Sequence, residues 1–155
     1  MKTELNRLAE KCGGRVVRPA TKDVSGISID TRTLRPGNLY VALKGETHDG
    51  HAFVGAAIKA GAAAILVSSL PETDVPAETG IIQVADTLSA LQAIAAARRN
   101  ELSSFFIGVT GSNGKTTTRS MVHHILSESH ICSTTTGNLN NHIGLSFLGY
   151  RRKAL

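Results

Sequence analysis

The sequence predicts an α/β fold, on three observations. Short apolar runs rich in β-branched residues, such as Leu39-Tyr40-Val41-Ala42-Leu43, alternate with segments whose apolar residues recur at helical spacing. Clusters of Gly, Pro and Asn separate the two kinds of segment. A glycine loop, Gly111 to Gly114, lies between one apolar run and one amphipathic stretch. Two units are expected: a small α/β domain over residues 1–102, and over 103–155 the start of a second domain built on a parallel sheet.

Leu5, Leu8, Ala9 and Cys12 follow i, i+3, i+4, i+7, and Gly13-Gly14 comes next, which predicts an amphipathic helix with a glycine C-cap. Strand chemistry follows at Val24 to Ile29. Leu34-Arg35-Pro36-Gly37-Asn38 reads as a turn, and Leu39 to Leu43 as a strand. A polar, Gly-containing loop runs from Lys44 to Gly50. Phe53, Val54, Ala57 and Ile58 mark one face of a helix stopped by Gly61, and Ala63 to Val67 reads as a buried strand. Pro71 and Pro76 bound a surface loop. Ile81-Ile82-Gln83-Val84 is the next strand, Asp86 a helix N-cap, and Leu88, Leu91, Ile94 and Ala95 the stripe of a helix reaching Arg98-Arg99. The polar bridge from Arg98 to Ser104 places the domain boundary near Ser103. Beyond it, Phe105-Phe106-Ile107-Gly108-Val109 is predicted as a strand and Lys115 to Ser127 as a helix with Met121, Val122, Ile125 and Leu126 on one face. One strand-helix unit cannot cover both faces of a parallel sheet, so the second domain is expected to be incomplete.

The chain has 155 residues, 41% hydrophobic and 19% charged, with no low-complexity tract, an ordinary globular composition. Met1-Lys2-Thr3-Glu4 opens a charged amphipathic stretch without an apolar h-region, and no apolar run approaches the ~18 residues that span a bilayer. Neither export nor membrane insertion is expected. Cys12 and Cys132 lack any CxxC or Cys/His spacing, so they read as thiols rather than as disulfide or zinc partners. From Ser103 onward Lys115, Arg119, Arg151, Arg152 and Lys153 face one acid, Glu128, which favours an anionic ligand. With aromatics at 4% and no basic run interleaved with Phe or Tyr, a phosphorylated small molecule fits better than nucleic acid.

Thr110-Gly111-Ser112-Asn113-Gly114-Lys115-Thr116-Thr117 reads as a phosphate loop. Glycines let successive backbone N–H groups converge on phosphate oxygens, and the helix N-terminus adds partial positive charge. Lys115 reaches the β/γ-phosphates, and the Thr116 hydroxyl can ligate Mg²⁺. Val109 stands where the common GxxxxGK[ST] string has its first glycine, and a glycine turn capping an ordinary βα unit is the alternative account. Phosphoryl transfer also needs a second metal-binding carboxylate. Glu128 lies about three turns along the same helix, too far from Thr116, so this chain alone is not expected to catalyse.

Five segments occur in one order: Ser28-Ile29-Asp30-Thr31-Arg32; Arg35-Pro36-Gly37-Asn38 through Lys44-Gly45; Asp49-Gly50-His51-Ala52-Phe53; the Thr110–Thr117 loop; and Gly137-Asn138-Leu139-Asn140-Asn141-His142-Ile143-Gly144. Together they resemble the Mur ligases, cytoplasmic ATP-dependent amide-forming enzymes that extend the peptide of the peptidoglycan precursor. The resemblance spans nearly the whole chain. The asparagine-rich segment looks most like the branch that adds D-alanyl-D-alanine to UDP-N-acetylmuramoyl-tripeptide.

The resemblance implies that residues 1–102 are a UDP-substrate-binding domain and that 103–155 begin the central ATP-binding domain. It implies that Ser28, Asp30, Thr31 and Arg32 lie near the UDP group, with Lys44 and Gly45 lining the same pocket. Arg32 suits phosphate by its planar set of donors, and an ion pair of Asp30 with Arg32 that merely steadies the turn is the competing account. For His51, ligand contact and a plain helix-start role both stay open. Lys115, as the catalytic cation, and Thr116 are implied to bind ATP phosphates and Mg²⁺, and Asn138 to lie near the sugar-nucleotide diphosphate. Asn140 and Asn141 match the same pattern, although asparagines in loops often bond only their own backbone. His123, His124, His130 and His142 have no metal-ligand spacing. A cytoplasmic enzyme acting on UDP-N-acetylmuramoyl-peptide and D-alanyl-D-alanine, with no nucleic-acid or membrane partner, is the implied whole; intact members of the family are expected to be monomers, and the oligomeric state of this chain stays open. A ligase cut short competes with a non-catalytic UDP-sugar-binding module, with a Mur ligase of different amino substrate, and with a nucleic-acid binder supported by charge alone.

Overall fold

The computed structural model describes residues 3–45 and 48–134. Its centre is a five-stranded sheet of order β1-β5-β4-β3-β2, made of β1 (Arg15–Arg18), β2 (Gly26–Ser28), β3 (Asn38–Val41), β4 (Ala64–Val67) and β5 (Gly80–Gln83). Strands β2 to β5 run parallel, and β1 pairs antiparallel with β5 at one edge.

Side-chain alternation along the strands divides the core into two layers. Leu39, Val41, Ala64, Leu66, Ile82 and Val84 point to one face, where α1 (Leu5–Cys12) and α3 (Thr87–Asn100) cover them with Leu5, Leu8, Ala9, Leu91 and Ile94. Tyr40, Ala42, Ile65, Val67 and Ile81 point to the other face, against Val54 and Ala57 of α2 (Val54–Lys59). Every residue of β4 is buried, as expected of a central parallel strand covered on both sides. The helix ends follow local chemistry. Gly13 closes α1 in the left-handed conformation at φ 64°, and the Asp86 side chain caps α3 by accepting the Ser89 N–H.

The expected elements stand within one or two residues of their predicted places, with two differences. Strand β1 has no counterpart in the sequence prediction, because Arg15-Val16-Val17-Arg18 is short, charged at both ends and only half covered. Conversely, the strand predicted at Phe105-Phe106-Ile107-Gly108-Val109 is not formed. A strand exists only by exchanging backbone hydrogen bonds with a neighbour, and none of the described residues supplies one. Phe105 and Ile107 are accordingly exposed. Phe106 is held by Arg99, whose guanidinium lies 5.0 Å from the ring centroid. The last described helix, α4 (Lys115–Ser127), forms as predicted. Between it, the end of α3 and the 104–109 run lies a cavity of about 360 Å³ whose lining includes Leu102, Phe106, Val122 and Leu126.

Candidate functional site

Ligands of open parallel α/β sheets bind outside the carboxyl ends of the strands, and the predicted nucleotide-binding residues lie along that edge. Ser28 ends β2, with Asp30, Thr31 and Arg32 in the turn that follows; Lys44 and Gly45 follow the neighbouring strand β3. Ser28 is buried, and its Oγ donates to the Asp30 carbonyl at 2.9 Å while accepting the Asp30 N–H at 3.3 Å. The turn is therefore locked by its own first side chain. Asp30 then gathers Arg32: Oδ1 accepts the Arg32 N–H and Nε–H, both at 2.9 Å, and Oδ2 accepts Nη2–H at 2.6 Å. The hydrogen bonds from the Arg32 side chain, then from its backbone, hold the Asp30 carboxyl below its usual range. Of the two accounts of this pair left open by the sequence, the turn-stabilising ion pair is present. The Arg32 side chain nevertheless remains 86% exposed.

The second loop at this edge folds back on its own strand. Lys44 and Asp49 form an antiparallel bridge, the Gly45 N–H donates to the His48 carbonyl at 2.9 Å, and the Gly50 N–H donates to the Leu43 carbonyl at 2.8 Å. Gly50 permits this approach because a Cβ there would stand 2.8 Å from the Leu43 N and O. The buried Tyr40 donates its hydroxyl to the Gly50 carbonyl at 3.0 Å. Burial pushes the Tyr40 phenol up first, and the negative charges of Asp30 and Asp49 push it further.

His51 joins that loop to a third strand end. Its Nε2 lies 3.0 Å from the Ser68 N and 3.1 Å from the Ser68 Oγ, just beyond β4. A backbone N–H can only donate, so Nε2 is the accepting nitrogen and Nδ1 carries the proton that it donates to Asp49 Oδ1 at 2.6 Å. The same Asp49 oxygen accepts the His51 N–H at 2.9 Å. These bonds, the backbone one foremost, hold the Asp49 carboxyl below its usual range. His51 is thus neither idle at a helix start nor turned toward solvent. The Asp49-Gly50-His51 spacing signals the local cap, but Ser68 lies 17 residues further on and no local pattern reveals it.

The glycine loop is carried by a separate element, at the start of α4. Gly114 precedes the helix at φ 74°, a conformation that favours glycine, and the helix opens with Thr118 N–H donating to the Gly114 carbonyl at 2.9 Å. The N–H groups of Lys115, Thr116 and Thr117 consequently face out of the first turn with no carbonyl inside the helix to accept them. Lys115 folds back over the loop, its Nζ donating to the carbonyls of Gly111 and Ser112. First-turn amides, a tethered ammonium and the hydroxyl-bearing Thr116 form a donor set whose chemistry suits a polyphosphate with its magnesium ion. Thr110, Ser112 and Asn113 lie in the exposed part of this loop. Asn138, Asn140 and Asn141 lie outside the described residues.

Comparison with known proteins identifies the family to which this fold belongs. The family model described as "Mur ligase family, catalytic domain" matches residues 23–99, and the "Mur ligase middle domain" matches 109–153. The UDP-N-acetylmuramoyl-tripeptide–D-alanyl-D-alanine ligase of Bacillus subtilis is 44% identical over 148 residues, covering 94% of this chain and 32% of that protein. The UDP-N-acetylmuramoyl-L-alanyl-D-glutamate–2,6-diaminopimelate ligase of Chlorobaculum tepidum is 39% identical over 131 residues, covering 83% and 25%. Among solved structures, MurF from Acinetobacter baumannii superposes with a TM-score of 0.84 at 31% identity, covering 99% of this chain and 34% of that one. MurF from Thermotoga maritima in complex with ADP gives 0.69 at 29% identity, covering 84% and 30%. The chain spans between a quarter and a third of the length of these curated relatives. Two matching domain models in sequence order, over a sheet and a glycine loop that superpose on solved relatives, establish that the chain belongs to the Mur ligase family.

Proposed function

We propose that this chain recognises UDP-N-acetylmuramoyl-tripeptide through residues 1–102 and begins an ATP site in residues 103–155. The whole protein would join the tripeptide carboxylate to D-alanyl-D-alanine in peptidoglycan precursor synthesis, as a cytoplasmic enzyme. The observation that carries this reading is the 44% identity, over 94% of the chain, to a relative named for that reaction. A 2,6-diaminopimelate ligase is the second reading, favoured by the Chlorobaculum tepidum relative at 39%.

At the carboxyl edge of the sheet, Arg32 would exchange its Asp30 partner for a diphosphate oxygen, a charge-assisted contact that its planar fork can make at two points. Ser28 would hold that turn and Thr31 would offer its hydroxyl, and Lys44 and Gly45 would close the pocket from β3. In the glycine loop, the first-turn N–H groups of α4 would bind phosphate, and Lys115 would leave the Gly111 and Ser112 carbonyls for the phosphoryl oxygens. Thr116 would hold magnesium. Mg-ATP would supply its γ-phosphoryl group to the unreactive carboxylate, leaving ADP, and the amine of D-alanyl-D-alanine would then displace inorganic phosphate from the acyl phosphate. Lys115 would act as the catalytic cation by neutralising charge on the moving phosphoryl. Asn138 and Asn141 would complete the substrate pocket.

Calorimetric titration of the chain with UDP-N-acetylmuramoyl-tripeptide, and separately with Mg-ATP, at low and high salt tests this reading. Saturable binding of the UDP ligand that tolerates salt supports it. Binding restricted to polynucleotides and falling steeply with salt would overturn it.

A further inference from the structure

We propose that His51 is a positioning residue of the nucleotide pocket, fixing the loop that bears Lys44 and Gly45 by bridging Asp49 to the backbone of Ser68. The proposal rests on the nucleotide-binding reading given above, and it assigns His51 no contact with ligand.

Each bond has a direction that the chain dictates. The Ser68 N–H belongs to backbone leaving β4, a strand buried along its whole length, so it is a fixed anchor. Asp49 belongs to the loop, bridged to Lys44 on the opposite limb. His51, with its side chain only 16% exposed, stands between anchor and loop and satisfies both with one tautomer. Around it the loop is gripped twice more, by the Tyr40 hydroxyl on the Gly50 carbonyl and by the Gly50 N–H on the Leu43 carbonyl. The result ties the ends of β3 and β4 together through a side chain, beyond the last ladder bond at Ala42 N–H to Leu66 O. A loop that must present Lys44 to a phosphate gains affinity from being held in the binding geometry before ligand arrives.

The test compares His51→Phe, which keeps a ring but neither hydrogen bond, with His51→Gln, whose amide oxygen can still accept from Ser68, and with Ser68→Ala, which keeps the N–H. Two quantities are read on the full chain: hydrogen exchange of the Gly50 amide, and calorimetric affinity for UDP-N-acetylmuramoyl-tripeptide. His51→Phe should speed Gly50 exchange and weaken the ligand, each by roughly tenfold. His51→Gln should recover most of both, and Ser68→Ala should change neither by more than about twofold. Unaltered Gly50 exchange in His51→Phe would overturn the clamp. Fast exchange with wild-type affinity would overturn the positioning role while leaving the clamp intact. Absence of binding by the wild-type chain would remove the nucleotide-binding reading and the positioning role with it, whereas exchange would still report the clamp. If His51→Phe does not fold, His51→Asn, which retains a donor for Asp49 but does not reach Ser68, is judged by the same criteria.

Discussion

Arg32 closes on Asp30 at two points, Nη2 to Oδ2 at 2.6 Å and Nε to Oδ1 at 2.9 Å, while its side chain stays largely in solvent. An exposed pair of this kind adds little to folding, since water screens it and the side chain loses freedom in forming it. Its guanidinium is free to move to a stronger anionic partner. Arg32→Ala should therefore leave the thermal unfolding midpoint nearly unchanged and weaken UDP-N-acetylmuramoyl-tripeptide by about tenfold or more in calorimetry. A large fall in the midpoint with intact binding would reduce Arg32 to a turn brace.

Lys115 belongs to the other element, and its loss should separate the two binding steps. Lys115→Ala, placed in a full-length enzyme, should abolish acyl-phosphate formation, measured as ADP release, while UDP-substrate affinity stays within a few fold. Comparable loss of both would undo the assignment of two sites.

Asp86 caps α3 by accepting the Ser89 N–H at 2.7 Å, and that backbone bond is the main reason its carboxyl lies below the ordinary value of 3.8. Replacing it by Ala should lower unfolding free energy by about 1 kcal/mol in urea at pH 7. A carboxylate with a depressed folded value contributes stability that is complete above its unfolded value and is lost as pH falls through the folded one. Asp30 and Asp49 are shifted in the same direction, but water reaches both and they add little. Stability should thus decline below about pH 4, and the Asp86→Ala deficit should shrink there.

Leu66 is fully buried between α1, α3 and its strand neighbours. Leu66→Ala should cost roughly 2–5 kcal/mol by denaturant titration, because the surrounding side chains close only part of the cavity. A loss below about 1 kcal/mol would mean that this layer is loosely packed.

By itself the sequence determined whatever depends on a few consecutive residues. The i, i+3, i+4, i+7 pattern with Gly13 made α1 legible, Asp86 announced α3, and the Gly111–Gly114 loop announced the start of α4. The five ordered motifs also carried the family, later matched by its domain models. Tertiary structure decided what depends on distant partners. It brought β1 antiparallel onto β5, pairing Arg15 with Gln83, and it withheld a strand from Phe105 to Val109 because no described neighbour exchanges hydrogen bonds with it. It also laid the Tyr40 hydroxyl on the Gly50 carbonyl and set His51 against Ser68. Caps and helical periods act within one or two turns of chain, whereas a sheet or a side-chain clamp takes its energy from residues that only the completed fold makes adjacent.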